Sequence, residues 1–206
     1  MKTAILLLVL AFSFEASAQK LTDYLPGYIV IERESAIGYD TLKGLVADRK
    51  STSTETRFLN KLMIISNGKK ERIPLSKAYG FMRDSTFYLV TGLKPDNRIQ
   101  FLDNYYVLDK NMSNQVFLEV ITSGSLNHYR HHWYEQGESS INSMEILQLA
   151  GKPYSIRADL GIFGLKKNLI SRYFDSCPAI TLWLNTHDTS IDDLVDYYYS
   201  ECTKND

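Results

Sequence analysis

The chain has 206 residues, with 24 acidic and 23 basic side chains and a formal net charge of −1 at pH 7. It therefore lacks the basic excess that attracts nucleic acid, and we expect no nucleic-acid partner. With 14 Tyr, 9 Phe and 2 Trp, the composition is rich in aromatic residues, which favours strands over a helical bundle.

The first residues have the pattern of a cleavable signal peptide. Lys2 supplies a positive charge, residues 4–14 form an apolar run, and residues 16–18 (Ala-Ser-Ala) fit the small-x-small site of signal peptidase. We predict a signal peptide over residues 1–18 and an exported protein, periplasmic or extracellular. The mature chain should hold no transmembrane segment, because no later apolar stretch approaches the roughly 20 residues of a membrane span.

Between Gly27 and Leu149 the hydrophobic pattern repeats every second residue, as is typical of strands. Asn67-Gly68, between "KLMIIS" and "KKERIPL", predicts a type I′ hairpin because both residues tolerate positive φ angles. A second hairpin is expected to turn at Ser123-Gly124. Further strands are predicted over residues 27–34, 40–49, 86–92, 97–102, 104–109, 115–122, 125–135 and 143–149.

After Gly151 the apolar spacing lengthens to three and four residues, and this predicts a helix over residues 163–175. Pro178 is expected to begin a short apolar helix, "PAITLWLN", with a strand as the alternative because of its β-branched residues. Ser190 is expected to cap a last helix, "IDDLVDYYYSEC", which has two aspartates in its first turn.

Strands followed by helices predict an α+β fold. We expect an antiparallel β-rich sheet, sandwich or open barrel over about residues 27–149, followed by two or three C-terminal helices within residues 160–202. Residues 19–206 are predicted to form a single domain.

Three stretches, "PGYIVIERESAIGYDTLKGLVADR", "VFLEVITSGSLNHYR" and "DSCPAI…SIDDLVDYYYSEC", together span most of the mature chain. They resemble a family of uncharacterised secreted proteins of Bacteroidetes-type bacteria. The family typically has "GYIV" and "GDTLKG" motifs, a "FLEVL" hairpin and terminal helices. Tyr39 stands where the family usually has Gly, which puts the turn before Asp40 in doubt. The resemblance implies fold and export but no catalytic residue.

Three of the four histidines lie in "HYRHHWYE", which raises the possibility of a metal site. On a strand, His128, Arg130 and His132 share one face while His131 lies on the other. His128 and His132 would be roughly 13 Å apart, too far to bind one zinc ion at about 2.1 Å. We therefore predict no metal and no other cofactor, and a solvated face opposite an aromatic inner face.

Other catalytic patterns are absent or accidental. Ser66 and Lys69 match Ser-x-x-Lys, but they lie across a predicted hairpin turn and the companion Lys-Thr-Gly is missing. The acids Asp192, Asp193 and Asp196 are expected on the solvated face of the last helix, and His187-Asp188 is expected in a loop.

Cys177 and Cys202 are the chain's two cysteines, both in the helical end. In an exported protein we expect them to form a structural disulfide, which would contribute roughly 3.5 kcal/mol on the chain-entropy model. A redox role is less favoured because no Cys-x-x-Cys motif is present.

No set of acid, base and nucleophile converges in the sequence, so we expect a non-enzymatic binding domain or envelope-associated interaction domain. Its partner would be an unidentified envelope or extracellular component. The alternative is a hydrolase with a site assembled from dispersed residues such as His128, Glu119 and Asp103.

Overall fold

The computed structural model describes residues 24–33, 38–47, 61–95, 105–111, 115–134, 141–161 and 164–203. The predicted signal peptide, its cleavage site and the predicted strand at 97–102 lie outside these residues. In the described part, no helix has the length and apolar character needed to cross a membrane. The chain divides into two compact units, Met1–Phe87 and Tyr88–Asp206. That residues 19–206 form a single domain stays a prediction.

The first unit contains an antiparallel sheet in the order β4-β3-β2-β1-β5. Its strands are β1 (Tyr24–Glu32), β2 (Tyr39–Ala47), β3 (Lys61–Ser66), β4 (Lys69–Pro74) and β5 (Ala78–Arg83). A short 3-10 turn, Leu75–Lys77, separates the last two strands. Strand β5 was not predicted, because Gly80 interrupts its hydrophobic pattern. In the structure, the register of its pairing with β1 shifts between Val30 and Ile31.

The predicted hairpin at Asn67-Gly68 is confirmed, with φ angles of 51° and 74° at its two central residues. It aligns β3 and β4 so that alternate residues face opposite sides of the sheet. One side is the buried core of this unit and holds Ile29, Val46, Leu62, Ile64 and Phe81.

The second unit contains a closed antiparallel barrel in the order β6-β7-β11-β10-β9-β8, because β8 also pairs with β6. Its strands are β6 (Thr86–Pro95), β7 (Tyr105–Asp109), β8 (Gln115–Thr122), β9 (Leu126–Tyr134), β10 (Ile141–Leu149) and β11 (Ser155–Arg157). The first two residues of β6, Thr86 and Phe87, belong to the first unit. One apolar cluster of the barrel strands is built on Tyr106, Leu118, Tyr129, Met144 and Ile146.

Three helices follow: α1 (Lys167–Tyr173), α2 (Pro178–Thr186) and α3 (Ile191–Glu201). The α+β prediction of a β-rich part followed by two or three helices is thus confirmed. The Ser190 cap is confirmed as well, since its hydroxyl accepts from the Asp193 N–H and the Asp193 carboxylate accepts from the Ser190 N–H.

The helices and the opposite faces of the barrel strands share a second apolar cluster. Its buried strand residues include Leu126, Leu147 and Ile156, and its helical residues include Ile170 and Leu194. The predicted disulfide is present: Cys177 precedes α2, Cys202 ends α3, and their Cα atoms are 5.8 Å apart. The bridge therefore joins the start of one helix to the end of the next.

Two tyrosine hydroxyls also attach the helices to the barrel. Tyr199 of α3 both donates to the carbonyl of Leu126 (2.8 Å) and accepts from its N–H (3.3 Å). Tyr173 of α1 donates to the Tyr154 carbonyl and accepts from the Leu149 N–H. Burial raises the pKa of Tyr173, so the hydroxyl stays neutral and keeps both bonds.

Candidate functional site

The histidine-rich stretch is strand β9, as predicted, and its side chains alternate between two faces. Tyr129 and Trp133 belong to the apolar cluster of the barrel, which confirms the aromatic inner face. His131 stacks on Trp133 with ring centroids 5.6 Å apart. His128, Arg130 and His132 alternate with these residues and therefore lie on the outer face.

On that outer face the strand register aligns a row of charged groups. Arg130 lies opposite Glu119 of β8 on one side and opposite Glu145 of β10 on the other. The Nε atom of Arg130 donates to Glu145 at 2.6 Å, and Nε2 of His128 lies 2.7 Å from the other oxygen of that carboxylate. His132 contacts Glu119 at 3.0 Å. We call these five residues the barrel-wall network.

Glu145 is the centre of this network. Its partial burial alone would raise its pKa, but hydrogen bonds from His128 and Arg130 outweigh that effect, and the pKa of Glu145 is lowered overall. The hydrogen bond to Glu145 raises the pKa of Arg130 further above its ordinary value. Glu145 is therefore a carboxylate at neutral pH, and His128 carries a proton on Nε2 in order to donate to it.

The expectation that the outer face of β9 is solvated was wrong for His128, at the beginning of the strand. The His128 side chain is 0% exposed, because α3 lies over this part of β9. Its Nδ1 atom has no hydrogen-bond partner among the described residues, and an oxygen of Asp192, in the first turn of α3, lies 3.7 Å away. Sequence alternation could not reveal this burial, since the covering helix is distant along the chain.

The enclosure of His128 also bears on the hydrolase alternative. No substrate can reach an imidazole without exposed surface, and Glu119 contacts His132 rather than His128. Asp103, the third residue of that alternative, lies outside the described residues. The barrel-wall network links strands β8, β9 and β10 and approaches helix α3. Its charged groups pair with one another.

The remaining sequence candidates are also placed. Ser66 and Lys69 lie opposite each other across the hairpin turn, and Ser66 is buried. Asp193 belongs to the cap of α3. Hydrogen bonds from Ser190 to its carboxylate lower the pKa of Asp193. His187 follows α2 and stacks on Trp183.

No group of three or more His, Cys, Asp or Glu residues able to hold a metal ion occurs in the described part of the chain. Of the three histidines of β9, His128 and His132 bind different carboxylates. The absence of a metal site and of any other cofactor stays a prediction.

The first unit presents a different kind of surface, on the side of its sheet opposite the buried core. Here four exposed cations surround half-buried apolar and aromatic side chains. We call this surface the basic sheet face; it comprises Lys43, Lys61, Lys70 and Arg72 with Tyr24, Tyr28, Leu45, Met63 and Ile65.

The strand register shows that these residues share one side of the sheet. Met63 lies opposite Arg72, and Ile65 lies opposite both Lys70 and Leu45. Lys43 lies opposite Tyr28 on β1. The Nζ atom of Lys70 is 5.7 Å from the centre of the Tyr24 ring, so these two side chains meet across the intervening strands.

The cations of the basic sheet face lack carboxylate partners within the described part of the chain. Among the residues that the structure describes, Lys43, Lys61, Lys70 and Arg72 form no ion pair. This contrasts with Arg130, which donates to Glu145. The strands that carry these cations could be predicted from the sequence, but the surface could not, because only the pairing register brings Lys43 beside the β3–β4 hairpin.

The chain matches no family model, no curated protein and no solved structure. The resemblance to secreted Bacteroidetes-type proteins therefore rests on its sequence motifs.

Proposed function

We propose that the protein is an exported, non-enzymatic binding protein related to secreted proteins of Bacteroidetes-type bacteria, and that it binds its partner through the basic sheet face. The single observation that carries this proposal is the set of four exposed cations around a half-buried apolar centre, none of which has an ion-pair partner among the described residues. Cations left unpaired on a folded surface are available to an external anionic group. The barrel-wall network offers no comparable opening, because His128 is enclosed and Glu145 accepts two hydrogen bonds.

The test compares two charge-reversed forms of the mature chain, beginning at Gln19, in quantitative capture from envelope extracts. The first form carries Lys43→Glu and Lys70→Glu, on the basic sheet face. The control carries Lys69→Glu and Lys94→Glu, which make the same change in net charge at exposed positions elsewhere. Lys69 is a stringent control, since it neighbours Lys70 on β4 and faces the other side of the sheet.

We expect the wild-type and control chains to capture the same components in the same amounts, and the Lys43/Lys70 form to lose them. Circular dichroism of all three chains verifies that each is folded. Equal capture by the two altered forms would refute binding through this face, and capture by none of the three would refute the proposed function in envelope extracts.

A further inference from the structure

We infer that the partner of the basic sheet face is an acidic polysaccharide, a carboxylated or sulfated sugar polymer outside the cell. The inference rests on the proposed function and names the chemistry of its ligand.

The spacing of the cations indicates a polymer rather than a small anion. Lys70 and Arg72 are two residues apart on one strand, which separates their backbones by about 7 Å. Lys43 lies on β2, two strands away from β4, and adjacent strands are about 4.8 Å apart. The four cations are spread over three adjacent strands, so together they cover more area than a single carboxylate or phosphate occupies. Each can pair with a separate anionic group of a repeating chain, which multiplies weak contacts into useful affinity.

The aromatic rings argue against a single-stranded nucleic acid, which also carries regular negative charge. Such ligands need ring faces on which bases stack. The Tyr24 ring already has the Lys70 ammonium near its face, and the Tyr28 ring lies against Phe87 with centroids 6.4 Å apart. Tyrosine hydroxyl groups can, by contrast, exchange hydrogen bonds with sugar hydroxyls.

The apolar members of the face argue against an anionic membrane. Leu45, Met63 and Ile65 are half-buried, so each leaves only part of its apolar side chain exposed between the cations. A protein that binds in the membrane interface buries an apolar surface about 5–10 Å into the headgroup region. Half-buried side chains have little apolar surface left to insert, whereas a linear polymer can lie across them.

The side chains that supply the positive charge suit a ligand whose carboxylate or sulfate groups are spaced apart along a chain. Three of the four cations are lysines, whose ammonium groups act as compact point charges with three donors. Arg72 can in addition make a two-pronged contact with one carboxylate. The net charge of the whole chain is −1, so the attraction is local to this face and should be strongly weakened by salt.

The test is binding of the mature chain to immobilised alginate, a carboxylated polysaccharide, with uncharged dextran in parallel. We expect binding to alginate alone, and a loss of affinity of at least roughly tenfold in the Lys43→Glu/Lys70→Glu form. The Lys69→Glu/Lys94→Glu control should stay within about threefold of wild type. Raising salt from about 0.05 M to about 0.5 M should weaken the wild-type complex and leave little difference between the forms.

Heparin, a sulfated polysaccharide, single-stranded DNA and phosphatidylglycerol vesicles complete the experiment. Binding to heparin with the same variant pattern supports the inference and identifies sulfate rather than carboxylate as the preferred group. Tighter binding to DNA or vesicles than to both acidic polysaccharides overturns it. If the double reversal does not fold, Lys43→Gln/Lys70→Gln is measured in its place.

The envelope-capture experiment separates the two proposals. Loss of captured protein in the Lys43/Lys70 form, without any binding to alginate or heparin, overturns the polysaccharide and leaves the binding function standing. Failure of both experiments overturns both.

Discussion

Replacement of Glu145 by Gln should destabilise the second unit and change how its stability depends on pH. Glu145 accepts from Nε2 of His128 at 2.7 Å and from Nε of Arg130 at 2.6 Å. The isosteric amide keeps one oxygen acceptor but presents an NH₂ group to the other donor, and it removes the charge that Arg130 faces. Hydrogen bonds to charged groups are worth about 1.5–3 kcal/mol each, so we expect a loss of about 3 kcal/mol at pH 7. This corresponds to a fall in Tm of about 6–12 °C.

The pH dependence follows from the lowered pKa of Glu145. A carboxyl group whose pKa is lower in the folded than in the unfolded state stabilises the fold above its unfolded pKa of about 4.3. That stabilisation is lost as the pH falls through the lower, folded pKa. Wild type should therefore lose stability below about pH 4.3, and the Gln variant should lack this part of the loss. The difference between the two proteins should shrink on acidification.

Urea unfolding followed by tryptophan fluorescence is suited to this measurement, because Trp133 and Trp183 both lie in the second unit. Asp196→Asn is the matched control, since this exposed aspartate of α3 has no ion-pair partner in the described part of the chain. It should change the free energy of unfolding by no more than about 0.5 kcal/mol. Wild-type stability at pH 7 in the Glu145→Gln chain would contradict the reasoning, as would an unchanged pH dependence.

Three further outcomes are expected. Cys202→Ser should lower the free energy of unfolding by roughly 3.5 kcal/mol and leave the β-sheet signal in circular dichroism intact. In wild type, peptide mapping without reductant should find Cys177 linked to Cys202. Two alkylated thiols in the native protein would contradict this. Ser190→Ala should cost about 1 kcal/mol in thermal melts because it removes the cap of α3, whereas Ser200→Ala, within the same helix, should change stability by about 0.5 kcal/mol or less. N-terminal sequencing of protein from the native host should begin at Gln19, and an intact Met1 would exclude cleavage.

Features set by neighbouring residues could be predicted from the sequence. The Asn67-Gly68 hairpin depends on two residues that adopt positive φ, and the cap of α3 depends on the exchange between Ser190 and Asp193. The disulfide could be predicted because the chain has two cysteines, which can pair in only one way, and because its N-terminal pattern predicts export.

Features set by distant pairing could not be predicted. The barrel closes because Tyr88–Gly92 of β6 pairs with residues 115–119 of β8, and no local pattern encodes that pairing. Strand β11 has three residues, too few for a periodic signal. His128 was expected on a solvated face because alternation reports which residues share a face but not which element covers that face.

Another explanation exists for some of the cations on the basic sheet face. In the described sheet of the first unit β4 is an edge strand, and charged residues, lysine above all, prevent edges from pairing with other chains. This role explains Lys69, Lys70 and Arg72 equally well, whichever side of the sheet they face. It does not explain Lys43, which lies on β2 between β1 and β3.

Lys43 therefore separates ligand binding from edge protection. If its ammonium pairs with a bound polymer, Lys43→Gln alone should weaken alginate binding by about threefold, the effect of one exposed charge pair, without promoting aggregation. Lys69→Gln should do the reverse, with unchanged affinity and a greater tendency to associate, because it removes an edge charge on the other side of the sheet. Static light scattering and the alginate assay, applied to both variants, measure the two effects separately. Unchanged alginate affinity in Lys43→Gln would contradict ligand binding and leave edge protection as the role of the cations on the basic sheet face.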